Sequence, residues 1–99
     1  MIVNLDYIDN YIRLAENLVN AELMFYKRLC LSYFMTEFNQ RSAEKIAECR
    51  KAVKKEERIM RSDYYKILLM GLDADLLIGD IKAQCKEEAM IEFLKNNLT

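Results

Sequence analysis

The stretch from Leu5 to Phe38, LDYIDNYIRLAENLVNAELMFYKRLCLSYFMTEF, decides the fold. Leu5, Ile8, Ile12, Ala15, Val19, Leu23, Tyr26, Cys30 and Tyr33 recur at spacings of three and four, which places them on one face of a single long helix. No proline occurs in the sequence and its two glycines, Gly71 and Gly79, lie beyond this stretch, so nothing in it interrupts a helix. Asn4 is suited to cap the first free N–H groups, with Asp6 and Asp9 opposing the positive end of the helix dipole.

Working outward, Asn39-Gln40-Arg41-Ser42 is the first cluster of turn-compatible polar residues, and the chain is expected to reverse there. A second helix is then expected from about Ser42 to Met70, along a seam of Ile46, Cys49, Val53, Met60, Ile67 and Met70 with Glu56 at one inner position. Ser62-Asp63 offers the alternative, since both residues favour N-caps over helix interiors and would split this element to give a fourth, short helix. Gly71 fits a left-handed C-terminal cap, and Asp73 an N-cap followed by Asp75 in the first turn. The last helix is expected from about Ala74 to Asn97, with Gly79 allowing a close helix approach.

At about 1.5 Å per residue the three helices would be roughly 50, 43 and 36 Å long, and short connections force neighbours to run antiparallel. The expected fold is therefore all-α, one domain over residues 1–99, an elongated antiparallel three-helix bundle. A chain of this size buries a modest share of its surface, so self-association is expected as well. With 53% hydrophobic and 31% charged residues it can both fill a core and solvate a surface, unlike a disordered segment.

The net charge of −1 gives no overall attraction to nucleic acid or anionic membrane. It is unevenly spread: residues 41–66 carry nine basic and five acidic side chains, while the segments on both sides are acidic. Lys51, Lys54, Lys55 and Arg58 share an arc opposite Val53 and Met60, so a phosphate backbone could contact them together. The plainer reading is a solvated face, softened by Glu48–Lys51, Lys54–Glu57 and Glu57–Arg61 pairs. No aromatic residue interleaves this stripe to stack on bases.

Histidine is absent, which removes the commonest general base, the Ser-His and Cys-His nucleophile pairs and most zinc or di-iron sites. Two isolated glycines cannot build a phosphate-binding loop. Asp73, Asp75 and Asp80 could hold magnesium, but capping and dipole compensation account for acids at a helix start. The protein is expected to be non-enzymatic and to need no cofactor. Cys30, Cys49 and Cys85 lack metal-binding or disulfide spacing and read as reduced thiols, with Cys30 and Cys49 at similar heights on adjacent helices.

The first six residues form no basic region leading an apolar run. The least polar stretch, Leu23 to Met35, has ten apolar residues in thirteen, too short to span a bilayer. A cytoplasmic protein without a membrane partner is expected.

Met24, Leu31, Met35 and Phe38 form a second stripe at spacings of seven, four and three, nearly opposite Tyr26, Cys30 and Tyr33. Either the first helix lies centrally and is covered on both sides by its own chain, or this stripe is an interface. The interface reading makes the protein a helical interaction module, an adaptor, regulator or inhibitor, that binds a partner protein and itself, with a homodimer as the simplest assembly. The alternative is a nucleic-acid-binding regulator using Lys51, Lys54, Lys55 and Arg58.

Overall fold

A computed structural model describes residues 5–40 and 42–98, with side chains from residue 9 onward apart from that at 11. The expected cap at Asn4 and the inward positions Leu5 and Ile8 lie outside what is described. The fold is all-α, with no strand among the described residues. Its helices are α1 (Leu5–Phe38), α2 (Ala43–Met60), α3 (Asp63–Leu68) and α4 (Ala74–Asn97).

The first reversal lies where the polar cluster stands. Asn39 donates its side-chain amide to the Met35 carbonyl at 2.7 Å, Gln40 takes a left-handed φ of 50°, and the Ser42 hydroxyl accepts the Lys45 N–H at 3.3 Å to start α2. The second boundary corrects the expectation of an unbroken helix to Met70. Ser62 is extended (φ −68°, ψ 159°), and its hydroxyl accepts the Tyr65 N–H at 3.4 Å to cap a new helix. The local capping preference of Ser-Asp therefore prevails over the heptad-like seam. Past the break Ile67 and Met70 are exposed, so the seam ends at Met60.

The chain leaves α3 through Met70 (φ 53°) and Gly71 (φ 93°), and re-enters a helix at Asp73, whose carboxylate accepts the Asp75 N–H at 2.9 Å. The glycine and the cap stand at the positions expected of them. Gly79 does not: a Cβ built there meets nothing within 4 Å, so no neighbouring helix approaches it closely.

α1 is the spine of a molecule 64 × 27 × 17 Å in extent, with α2 and α3 packed along one side and α4 along another. α2 runs antiparallel to it, bringing Tyr26 to Glu57 and Thr36 to Cys49. α4 runs parallel to it, as the pairs Lys27–Glu88 and Phe38–Phe93 show. Tyr26 and Cys30 from α1, Val53 and Met60 from α2, and Ile78 and Cys85 from α4 make the buried centre. Cys30 shares it with Cys85, whereas Cys49 lies 3.9 Å from Thr36, six residues along α1 from Cys30. The pairings Tyr26–Glu57 and Thr36–Cys49 set a register of α2 on α1 that separates the two thiols expected side by side.

α2 and α4 are joined through charge. Lys82 Nζ lies 2.8 Å from Glu57, and Arg61 Nε donates to Asp75 at 2.6 Å, while the two backbones stay apart and leave a groove whose floor is α1.

Candidate interaction surfaces

The second stripe of α1 is divided by the fold. Met24 is 58% exposed, whereas Leu31, Met35 and Phe38 are half-buried. Leu31 packs against the central cluster. Phe38 lies between Phe34 and Phe93, at ring separations of 6.3 and 6.0 Å. Since α1 is flanked on two sides, its own chain reaches much of both stripes.

Large apolar side chains are exposed at several places, among them Ile59 on α2 and Met90, Ile91 and Leu94 on α4, and one group of them converges where α3 packs on the first half of α1. Leu14, Leu18, Tyr64 and Ile67 are all exposed, Ile67 at 69%, and with Ala15 and Leu68 they surround a shallow cavity of about 410 Å³. Met70, Leu72 and Leu77 continue the apolar surface into a second depression of about 380 Å³ against Val19 and Leu23. The Ser62 break creates this surface by turning Tyr64 and Ile67 outward. A seam continued through Met60 hides them, so the periodicity alone does not reveal it.

Lys51, Lys54, Lys55 and Arg58 are exposed, as their arc implies. Lys51, Lys54 and Arg58 line a broad depression of about 560 Å³ with Arg50 and Arg61, and Lys55 stands outside it. Among the described residues neither Glu48–Lys51 nor Lys54–Glu57 forms an ion pair; Glu57–Arg61 does, at 3.9 Å. Of the two acids expected to soften the stripe, Glu48 is exposed and Glu57 is turned inward beside Glu56, each of these last two being 7% exposed.

Glu57 anchors a polar network that periodicity gives no sign of. It accepts a 2.7 Å hydrogen bond from the Tyr26 hydroxyl and pairs with Lys82 and Arg61. Burial opposes its charge, but hydrogen bonds from Lys82 and Tyr26 and the nearby positive charges outweigh this and hold its carboxyl below the usual range. Burial, then hydrogen bonding with Cys30 and Glu57, pushes the Tyr26 phenol far above its ordinary value. Burial likewise raises the Cys30 thiol and takes Cys85 to about 11. At the α3 end, Tyr65 donates to Glu22 at 3.0 Å; burial and this bond raise its phenol to about 12.

No group of three or more Cys, Asp or Glu among the described residues is placed to hold a metal ion. No helix among them is long and apolar enough to cross a membrane. No protein-family model matches the sequence, and comparison with curated proteins and with solved structures gives no match.

Proposed function

We propose that this chain is a non-enzymatic helical interaction module of the cytoplasm that binds a partner protein and pairs with a second copy of itself, through the surface built by α3 and the first half of α1. The observation that carries this reading is the convergence of Leu14, Leu18, Tyr64 and Ile67, exposed around one shallow cavity. Contiguous apolar surface of this kind is costly to leave in water and characterises association sites, and aromatic side chains such as Tyr64 are typical of their centres. Two-fold pairing would cover matching patches and leave no open assembly surface. A reducing compartment suits three free thiols, two of them buried.

Sedimentation of the wild type beside Ile67→Asp and Met24→Asp tests the reading. The wild type should associate at micromolar concentration, Ile67→Asp should be monomeric with unchanged helicity, and Met24→Asp should behave as wild type. Loss of association in Met24→Asp alone would move the interface to the α1 stripe. A wild type that stays monomeric and binds no protein partner would refute the reading.

One observation favours a second reading, a nucleic-acid-binding regulator. With Glu56 and Glu57 turned inward, Lys51, Lys54, Lys55 and Arg58 face solvent without an acidic partner among the described residues, Lys51 and Arg58 each about one helical turn from the adjacent pair Lys54 and Lys55. Such binding would weaken steeply with salt and fall on joint replacement of the four by Gln. Retention of DNA and RNA binding by that variant would exclude the stripe as its seat.

A further inference from the structure

The groove between α2 and α4 has an unusual lining. Its floor is α1, which supplies Tyr33, Phe34 and the buried Cys30, and Val53 closes the α2 side. Its walls are cationic, with Arg50 and Lys54 on α2 facing Lys82 on α4 across a cavity of about 360 Å³. Lys86 follows Lys82 by one turn on the same side of α4. The acid next to this set is Glu57 at one end of the groove, already committed to Tyr26, Lys82 and Arg61. Arg61 is committed in turn to Asp75. Arg50 and Lys54 take part in no ion pair among the described residues, and the Arg50 guanidinium lies 6.0 Å from the centre of the Tyr33 ring.

Lys82 is paired with Glu57 at the end of the groove, so the lining cations left without an ion pair among the described residues are Arg50 and Lys54, and they stand beside an apolar floor with two aromatic rings. Tyr33 and Phe34 meet edge to face at 5.2 Å, presenting both a ring face and a ring edge. The cavity volume falls in the lower part of the range of small-molecule sites, which combine an apolar lining with a few convergent polar groups. The geometry points to a binding site for a small amphiphilic anion, a flat apolar or aromatic body carrying one phosphate, sulfonate or carboxylate, lodged between α2 and α4 on the opposite part of the molecule from the α3 surface. The body rests on Tyr33, Phe34 and Val53, and the anionic group is held between Arg50 and Lys54 on one wall and Lys82 on the other. Arg50 supplies paired N–H donors suited to a phosphate or carboxylate edge.

The test uses 2-naphthyl phosphate as probe, with 2-naphthol as the body without its charge and inorganic phosphate as the charge without its body. Calorimetric titration of the full chain should give saturable binding of one 2-naphthyl phosphate, with each half-probe weaker by about tenfold or more. Arg50→Gln/Lys54→Gln should weaken the whole probe by about tenfold or more, because two charge-assisted contacts are lost. Lys51→Gln/Lys55→Gln removes the same charge from positions that do not line the groove and should leave binding unchanged. All four positions are exposed, so both doubles should retain the wild-type circular dichroism spectrum. Equal weakening in the two doubles would reduce the effect to diffuse attraction, and equal affinity for either half-probe would remove the need for an amphiphilic ligand. Either result, or no binding of 2-naphthyl phosphate, overturns the site. Because none of these residues belongs to the α3 surface, failure here would leave the association reading standing.

Discussion

Tyr26, wholly buried on α1, donates a 2.7 Å hydrogen bond to the Glu57 carboxylate on α2. The bond joins the apolar centre to the charged seam between α2 and α4, since Glu57 also receives Lys82. Replacing Tyr26 by Phe keeps the ring and removes the donor, so the variant should fold with the same helicity. A hydrogen bond to a charged group contributes about 1.5–3 kcal/mol, and urea unfolding should show a loss of that order.

Stability should fall at both ends of the pH scale, for opposite reasons. The folded-state pKa of Glu57 is held below its ordinary 4.5, so its contribution is present above that value and is lost as pH falls through the folded pKa. Cys85 is raised from 9.0 to about 11 and Tyr65 from 10.0 to about 12, with Cys30 and Tyr26 also raised. Their contribution is complete below about pH 9 and declines as the unfolded chain ionises first. Thermal unfolding from pH 3 to 11 should trace a plateau around neutrality with a decline on each side, and a midpoint still rising above pH 9 would contradict it.

The thiols should differ in reactivity. Cys30 and Cys85 are buried with raised pKa values, whereas Cys49 is partly exposed on α2. Since the thiolate is the reacting species, iodoacetamide at neutral pH should label Cys49 first and leave the other two unmodified until the chain unfolds. Peptide mass mapping after partial labelling gives the order.

The two glycines should respond in opposite directions to the same substitution. Gly71 has φ of 93°, a conformation unfavourable to an L side chain, so Gly71→Ala should cost about 1 kcal/mol although open space surrounds the site. Gly79 lies inside α4 with nothing within 4 Å of the added methyl, so Gly79→Ala should gain about 0.5–1 kcal/mol from helix propensity. Paired denaturation curves measure both.

What could be read from the sequence was what local chemistry determines. The span of α1, the Asn39–Ser42 reversal, Gly71 and the Asp73 cap all follow from periodicity, turn residues and capping acting without competition. The course of α2 was less legible because two local signals conflicted at Ser62, a cap and a continuing seam, and their balance depends on how α3 settles against α1. That outcome decides which side of α3 meets water, so the apolar surface at Tyr64 and Ile67 could not be placed beforehand. Glu57 illustrates a different limit. Its position suggested an outward partner for Lys54, and only the meeting of Tyr26, Lys82 and Arg61 from three elements makes burying its charge favourable.

The spine arrangement of α1 has a consequence for how the molecule comes apart. α2 and α4 each depend on α1 and scarcely on each other, so either flank can peel away while the other stays docked, much as two pages turn on one binding. Amide hydrogen exchange should then resolve two separate opening events, and only the central amides of α1 should require global unfolding. Severing the Lys82–Glu57 and Arg61–Asp75 ties should ease both openings, because each tie is lost whichever helix leaves α1. The rupture of two charged links would thus be felt as looseness on both sides of the spine.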